Sequence, residues 1–132
     1  MTSQTAPLLR GVRQIAWTVR DVPAAVRFWR DQLGARLLFE PPGMAFFDLD
    51  GVRLMVGRAE KPEFDHPNSI LYLGVDDIRA AHATLVARGV AFEDQPHLVA
   101  RIPGTNVELW MCFFRDGQGS LLALSSEVQA AG

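Results

Sequence analysis

Few side chains in this chain of 132 residues combine a reactive group with a position from which it could act on a ligand. His97 begins a predicted strand, and its imidazole titrates near neutral pH, so it can serve as a general base or hydrogen-bond a ligand. Arg101 follows four residues later and shares a face with His97 if the strand is regular. Together they would attract a carboxylate or a phosphate. The alternative is an exposed ion pair between Arg101 and Glu108 across the turn at 103–106.

The other polar candidates also have structural alternatives. Gln14 stands at the start of the first predicted strand, where its amide either orients a ligand or is simply a polar residue at a strand end. His66 lies in a proline-bearing segment and is predicted to be a solvated loop residue. His82 falls on the apolar face of a predicted helix and is predicted to be packed and hydrogen-bonded. Cys112 has no basic neighbour in sequence, so its thiol is a poor nucleophile.

Composition and charge exclude several functional classes. A formal net charge of −2 provides no basic surface for nucleic acid, and no apolar run reaches the length of a membrane span. The N-terminus lacks the pattern of a signal peptide, and a single cysteine is typical of a protein in the reducing cytosol. The sequence contains no phosphate-binding glycine loop, nucleophile elbow, CxxC or HExxH motif. These features predict a cytoplasmic protein with neither a nucleic-acid nor a membrane partner.

The elements that must position these residues occur twice. Asp21 and Asp77 each precede an aliphatic residue, and an Ala-Ala pair follows each of them at the same offset. A glycine closes each copy, at Gly34 and Gly89. The copies lie about 56 residues apart, a separation typical of two copies of one supersecondary unit. Each aspartate is predicted to cap a helix, and each glycine to end one.

Apolar periodicity predicts the order β-α-β-β-β in each copy, with one short extra extended piece in the second. The predicted strands are 14–19, 35–39, 45–49 and 53–56, then 70–75, 91–93, 97–102, 107–114 and 121–124. The first helix carries one apolar stripe, Val22, Val26, Trp29 and Leu33, and the second carries Ile78, Ala81, His82 and Leu85. Asp48 and Arg53 flank an Asp-Gly turn and are predicted to form a surface pair across that hairpin.

The predicted fold class is α+β, with two βαβββ modules forming a cupped mixed sheet around a central cleft and helices on the outer face. The predicted divisions of this one domain are a loose tail at 1–10, a first module at 11–58, a linker at 59–68 and a second module at 69–127. A sheet face without a helix must bury against something. The cleft therefore forms between the modules of one chain or between the subunits of a dimer, and such a concave boundary favours a ligand.

Three segments carry a family resemblance: QIAWTVRD at 14–21, FWRDQLG at 28–34 and FRDGQGSLLAL at 114–124. They resemble the vicinal oxygen chelate superfamily, which includes glyoxalase I, bleomycin-resistance proteins, fosfomycin-resistance enzymes and extradiol dioxygenases. The resemblance covers roughly residues 12–127. It implies the fold described above, whereas the reaction varies among members because they share a scaffold rather than a chemistry.

The resemblance also implies four metal-ligand positions, with His or Gln at the first and His or Glu at the others. Those positions here are Gln14, Met55, Ile70 and Ala123. Ile and Ala offer no donor atom, and the thioether of Met55 is a poor ligand for Zn, Mn, Fe or Ni. Because Gln14 alone cannot hold an ion, the chain is predicted to have no metal site and no cofactor.

The resemblance further implies which side chains face the cleft. Met111 and Phe113 are expected there, either lining a hydrophobic pocket or simply packing, whereas Trp110, Cys112 and Phe114 are expected under the helix. Tyr72 lies two residues beyond Ile70 on the same face and adds a hydroxyl. The candidate ligand-binding residues are therefore Gln14, Met55, Tyr72, His97, Arg101, Glu108, Met111 and Phe113.

Three functions remain open at the level of sequence. The first is a metal-free homodimer that binds a small apolar or aromatic molecule, as antibiotic-sequestering relatives do. The second is a lyase, isomerase, epimerase or dioxygenase-like enzyme that uses Gln14, His97 and Glu108. The third is an interaction module whose dimer interface fills the cleft. The loss of metal donors favours the first, in which the chain is not an enzyme.

Overall fold

The described part of the chain follows the predicted order of strands and helices. The structure, a computed structural model, describes residue 6 and residues 8–130. Its strands are β1 (Gln14–Thr18), β2 (Arg36–Phe39), β3 (Met44–Leu49), β4 (Val52–Gly57), β5 (Leu71–Gly74), β6 (Ala91–Phe92), β7 (His97–Arg101), β8 (Val107–Arg115) and β9 (Leu121–Gln129). Its helices are α1 (Val22–Val26), continued by a π-helical segment (Arg27–Gln32), and α2 (Ile78–Ala87), with a 3₁₀-helical turn at Pro62–Phe64. The predicted α+β class is confirmed.

Each helix begins at an aspartate whose side chain accepts from an amide that the first turn leaves without a partner, as predicted. The Asp21 carboxylate accepts from the amide of Ala24 at 3.0 Å. The Asp77 carboxylate accepts from the amide of Ala80 at 3.1 Å. The two equivalent caps fix the start of both helices at the same point of the repeat.

The first helix does not stay α-helical to its end. The Leu33 amide donates to the Phe28 carbonyl, five residues back, at 2.9 Å. All four residues of the predicted stripe pack in or against the core, but the second half of the helix is π-helical and not α-helical. The wider π turn buries two consecutive aromatic residues. Phe28 packs against Phe114 of one sheet, and Trp29 packs against Phe47 of the other.

The described strands form two sheets of the same plan. The first has the order β1-β4-β3-β2, and β1 is parallel to β4 while the other pairs are antiparallel. The second has the order β5-β9-β8, with β6 and β7 pairing one after the other along the remaining edge of β8. The extra extended piece predicted in the second module is β6. Strand β9 extends five residues beyond its predicted end, to Gln129.

One face of each sheet is turned toward the helices, and these two faces build one shared core. Leu54 and Leu122 occupy equivalent positions in the two sheets, and both are fully buried. Removing a side chain of this size from water contributes about 1.5–3 kcal/mol. Trp17 and Trp29 meet edge to face, with ring centroids 5.9 Å apart. The opposite face of each sheet, which we call its open face, faces away from this core.

Hydrogen bonds of side chains, and not a shared strand, join the two modules in the described chain. Asn68 accepts from the Thr18 amide at 3.0 Å and donates to the Thr18 carbonyl at 2.9 Å. The same amide group donates to the Ser120 hydroxyl at 2.8 Å. Gln118, in the turn before β9 of the second module, accepts from the Asp21 amide of the first module at 3.0 Å. These bonds connect the end of β1 to the start of β5 and β9.

The C-terminal ends of the two helical segments also contact each other. The Gln32 amide group donates to the Arg88 carbonyl at 2.9 Å, and the Arg88 guanidinium donates to the Gln32 carbonyl at 3.1 Å. Both residues lie just before the glycine that closes their copy of the repeat, Gln32 two residues before Gly34 and Arg88 one residue before Gly89. The contact is reciprocal, as expected near an approximate two-fold axis. Neither described helix has the length and apolarity needed to cross a bilayer.

Candidate functional site

A cavity lined by residues of both modules lies where the two modules meet, and we call it the seam cavity. Its volume is about 570 Å³. Most of its wall is apolar and includes Ile15, Trp29, Leu33, Leu71, Leu73 and Leu85. The polar side chains in the wall are Asp50, Tyr72, Thr84 and Arg88. Both modules therefore contribute to one hydrophobic site with few polar groups.

Among the described strands, two edge strands that do not pair with each other, β1 and β5, contribute residues to the wall of the seam cavity. Within the described residues β1 pairs with β4 and β5 pairs with β9, and no ladder joins β1 to β5. Gly74 at the end of β5 faces open space, since a Cβ added there would meet no atom within 4 Å. The space between the modules is thus available to a ligand and is not filled by side chains.

Tyr72 is the one predicted ligand-binding residue that lines the seam cavity within the described part of the chain. Its side chain is 50% exposed, and its ring meets Phe113 edge-on at a centroid distance of 6.0 Å. Phe113 and Met111 lie on the open face of the second sheet, opposite to the buried Cys112 and Phe114, as expected. Tyr72 therefore connects the seam cavity with this open face.

Gln14 and Met55 lie together on the open face of the first sheet, away from the seam cavity. The Gln14 side-chain nitrogen is 3.8 Å from the Met55 sulfur. The Gln14 side-chain oxygen accepts from the Arg53 Nε at 2.8 Å. Asp48 is the register partner of Arg53, but no salt bridge joins them among the described residues, and Asp48 accepts from the Gly51 amide instead. The predicted pairing of Asp48 and Arg53 across the hairpin is therefore confirmed in register, without a salt bridge between these two described residues.

His97, Arg101 and Glu108 do not form one cluster. A bulge at Val99 shifts the register of β7, so His97 pairs with Met111 whereas Arg101 pairs with Glu108. Because Met111 and Glu108 point to opposite faces of β8, the predicted shared face of His97 and Arg101 is wrong. The alternative is confirmed, since the Arg101 guanidinium lies 3.2 Å from the Glu108 carboxylate.

His97 itself is exposed on the open face of the second sheet. Its Nδ1 is 2.9 Å from the Gln95 carbonyl oxygen and 3.7 Å from the nearer Asp94 carboxylate oxygen. The residues expected for an enzymatic reaction are therefore dispersed. Gln14 lies on the first sheet, and His97 and Glu108 lie on opposite faces of the second.

The remaining candidates have structural roles. His82 packs against Phe92 with ring centroids 4.4 Å apart and ring planes inclined by 58°, which confirms its predicted packing. Its buried Nε2 has no hydrogen-bond partner among the described residues, so the predicted hydrogen bond is absent at that atom. Burial raises the pKa of the Cys112 thiol to about 11, and the Asp94 carboxylate adds to the rise. A neutral buried thiol is a poor nucleophile, as the sequence indicates.

The four positions at which the family resemblance implies metal ligands do not fit a divalent ion. Ala123 is fully buried and Ile70 is apolar, and neither carries a donor atom in its side chain. Met55 supplies a thioether, a soft donor unsuited to Zn, Mn, Fe or Ni. Gln14 supplies one amide, whose oxygen already accepts from Arg53. Elsewhere in residues 8–130, no group of three or more His, Cys, Asp or Glu side chains is placed to hold a metal ion.

Comparison with known proteins adds a family and a fold. The model of the Glyoxalase/Bleomycin resistance protein/Dioxygenase superfamily matches residues 11–124. A short segment is similar to metallothiol transferase FosB of Staphylococcus haemolyticus and of Staphylococcus epidermidis, with 31% identity over 51 residues. That match spans 39% of this chain and 37% of those relatives.

Solved structures of low sequence identity share the fold. A superfamily member from Sphaerobacter thermophilus is 22% identical, with a TM-score of 0.72, and the match covers 91% of this chain and 99% of that one. Lactoylglutathione lyase from Agrobacterium tumefaciens is 18% identical, with a TM-score of 0.70 and coverage of 91% and 96%. At these identities the similarity establishes the fold alone.

Proposed function

The chain belongs to the glyoxalase/bleomycin resistance protein/dioxygenase superfamily, and from that premise we propose that it binds a small apolar or aromatic molecule without the family's metal ion. The donor chemistry supports the second part, because Met55, Ile70 and Ala123 stand where ligands would be needed. The name metallothiol transferase describes the partly similar relatives. We do not extend that activity to this chain.

The seam cavity is the observation that supports binding. Its volume of about 570 Å³ falls in the range of small-molecule sites, roughly 300–1,000 Å³. Apolar walls with a few polar groups are also typical of such sites. Tyr72 and Thr84 supply hydroxyls that orient a ligand, while Leu73 and Leu85 contribute apolar contact. The ligand class is therefore a molecule that is mainly apolar, with one or two polar groups.

We further propose that the chain forms a homodimer in the cytoplasm. The open face of the second sheet presents Tyr72, Met111 and Phe113, and its exposed apolar surface favours contact with a second copy. In this arrangement the partner covers the second sheet and leaves the seam cavity within one chain. Sedimentation velocity at micromolar concentration tests the dimer, and a monomer at every concentration would contradict it.

A cavity-filling substitution tests the proposed binding. Ala81→Leu enlarges a partly buried side chain in the cavity wall, and it should occlude the seam cavity. Ala83→Leu is the matched control, because it adds a similar side chain on an exposed position of α2 outside the cavity wall. The measurement is a thermal-shift screen of the parent and both variants against aromatic antibiotics, CoA thioesters and glutathione adducts.

We expect at least one compound to stabilise the parent chain and Ala83→Leu but not Ala81→Leu. At a ligand concentration 100 times the dissociation constant, binding stabilises the folded state by about 2.7 kcal/mol, which a thermal shift detects readily. Equal stabilisation of all three proteins would show that binding does not use the seam cavity. That result would contradict the proposal.

A further inference from the structure

Two rows of side chains cross the open face of the first sheet, and they differ in chemistry. Strand register aligns one row, which we call the apolar row: Phe39, Phe46, Met55 and Ala16. The adjacent row, which we call the polar row, contains Arg36, Asp48, Arg53 and Gln14. The rows lie two residues apart along β1, β3 and β4, which corresponds to about 7 Å. A ligand lying along the strand direction would contact both rows.

The apolar row ends in a stacked pair of phenyl rings. Phe39 and Phe46 have ring centroids 4.4 Å apart and ring planes inclined by 16°. Phe39 lies on the edge strand β2 and remains 49% exposed. The pair therefore offers a flat aromatic surface to solvent. Another aromatic ring can stack on such a surface or meet its edge.

The polar row places a positive charge beside this pair. The Arg53 guanidinium carbon lies 5.9 Å from the centroid of Phe46, and its Nε donates to the Gln14 oxygen at 2.8 Å. These two contacts hold the guanidinium over the sheet. No carboxylate lies within 4.0 Å of Arg53 among the described residues, so its two Nη groups have no acidic partner there. A planar pair of N–H donors matches a carboxylate in geometry and charge.

The neighbouring charges permit one bound anion. Asp48 is the register partner of Arg53, and its Oδ1 accepts from the Gly51 amide in the turn. Arg36 lies on the other side of Asp48 in the same row. Two arginines against one aspartate leave this row with an excess of positive charge. A ligand with a single negative charge is therefore favoured over a neutral one.

The fold does not itself require this arrangement. In the second sheet Leu121 occupies the position equivalent to Arg53, and Ile70 is the repeat counterpart of Gln14. Both modules nevertheless have the same strand plan. The polar row is thus a property of the first module alone. It calls for a role other than holding the sheet together.

We propose that the open face of the first sheet binds an aromatic carboxylate. The ring of the ligand lies on Phe39 and Phe46, and its carboxylate accepts from the Nη groups of Arg53. The separation of the rows suits a carboxylate attached to the ring by a short alkyl chain. Gln14 is a positioning residue, because it holds Arg53 and need not contact the ligand. This site is separate from the seam cavity and does not depend on it.

The test uses the full chain and 3-phenylpropionate as the probe, followed by proton–nitrogen correlation NMR. We expect the largest shifts at the amides of Phe39, Phe46 and Arg53. Arg53→Met should weaken binding about tenfold, because it removes the charge-assisted hydrogen bonds but keeps an apolar side chain. Arg36→Met is the matched control, since it removes the same charge from the same row without touching the ring pair. It should change the affinity by about twofold or less.

Two further measurements separate the parts of the site. The neutral alcohol 3-phenyl-1-propanol should bind about tenfold more weakly than 3-phenylpropionate to the parent chain. Gln14→Leu should weaken binding of the carboxylate but not of the alcohol, as expected if Gln14 acts through Arg53. Phe39→Ala, at an exposed position, should weaken both probes and provides a second test if Arg53→Met fails to fold.

Four results would overturn the proposal: equal binding of acid and alcohol, equal losses in Arg53→Met and Arg36→Met, shifts confined to residues 71–74, or no shift at all. A dimer that dissociates in Phe39→Ala would also overturn it, because a second copy would then occupy this face. The thermal-shift comparison of Ala81→Leu with Ala83→Leu is a separate measurement that does not use this face of the first sheet. Failure of this site is therefore distinguishable from failure of the proposed function.

Discussion

The two modules keep the same pattern on the faces turned toward the helices and differ on their open faces. Leu54 and Leu122 are equivalent, and both are fully buried. On the open faces, Arg53 of the first module is replaced by Leu121 in the second. The shared core constrains both copies equally, because any gap there costs packing and hydrophobic free energy. The open faces carry no such constraint, so the copies can differ there in chemistry while they keep one fold.

Equal constraint on the core predicts equal losses when it is opened. Leu54→Ala and Leu122→Ala should each lower the free energy of unfolding by about 2–5 kcal/mol, because each removes a buried side chain and leaves a cavity. Phe39→Ala on the open face is the control and should cost less than about 1 kcal/mol. Urea unfolding measures all three. A loss below about 1 kcal/mol for either leucine would show that the two helix-facing surfaces are not equivalent.

The junction between the modules breaks the repeat and predicts an asymmetric effect. Asn68 makes three hydrogen bonds that connect Thr18 with Ser120, and removing it leaves these groups without those partners. Asn68→Ala should therefore cost about 2 kcal/mol. Its repeat counterpart, Val12, is 64% exposed, so Val12→Ala should change stability by less than about 0.5 kcal/mol. Similar losses from both substitutions in urea unfolding would contradict this asymmetry.

A smaller difference concerns one core position in each module. Cys112 is the equivalent of Ala45, and burial raises the pKa of its thiol from 9.0 to about 11. The folded chain therefore holds this proton more tightly than the unfolded chain does. The resulting stabilisation is fully present below about pH 9 and is lost as the pH rises toward 11.

The pH dependence of unfolding tests this effect. Between pH 9 and 11, the free energy of unfolding of the parent chain should fall more steeply than that of Cys112→Ala, which makes the second module resemble the first. Urea midpoints measured across this range provide the comparison. Parallel curves for the two proteins would mean that the thiol titrates alike in the folded and unfolded chains.

Local signals in the sequence predict much of the fold. Asp21 and Asp77 start their helices as predicted, because a capping aspartate acts within its own first turn. The family resemblance predicts correctly which side chains of β8 face the core, whereas the local pattern does not, because the segment around Cys112 is apolar on both strand faces. The repeat extends the inference about the caps from one module to the other.

Features that depend on contacts distant in sequence are not predicted. The bulge at Val99 is one extra residue, and nothing in the alternation of β7 marks it, yet it separates Arg101 from His97. The π-helical segment forms where Phe28 and Trp29 pack against different sheets. The spacing of one apolar stripe along a helix does not predict such a segment. Strand β9 is longer than predicted because three consecutive polar residues follow Leu124, and their pairing with β8 is not marked in the local sequence.

The candidate site is less predictable than the fold. The seam cavity arises from the relative position of the two modules, and its wall combines residues such as Ile15 and Leu85 that each look like ordinary core positions in sequence. The sequence predicts Tyr72 as a ligand-binding residue because it lies on the same strand face as Ile70. The sequence predicts Arg53 only as a hairpin residue. Its contact with Gln14 joins residues 39 positions apart, and local patterns do not encode such a contact.

Metal analysis of the purified chain tests the central claim, that the family scaffold is retained without its metal centre. The protein is prepared without added chelator or nickel, and its Ni, Zn, Mn and Fe contents are measured by inductively coupled plasma mass spectrometry. The donor set of Gln14, Met55, Ile70 and Ala123 predicts far less than one equivalent of any of these metals per chain. One equivalent of any of them, retained through dialysis, would contradict the account.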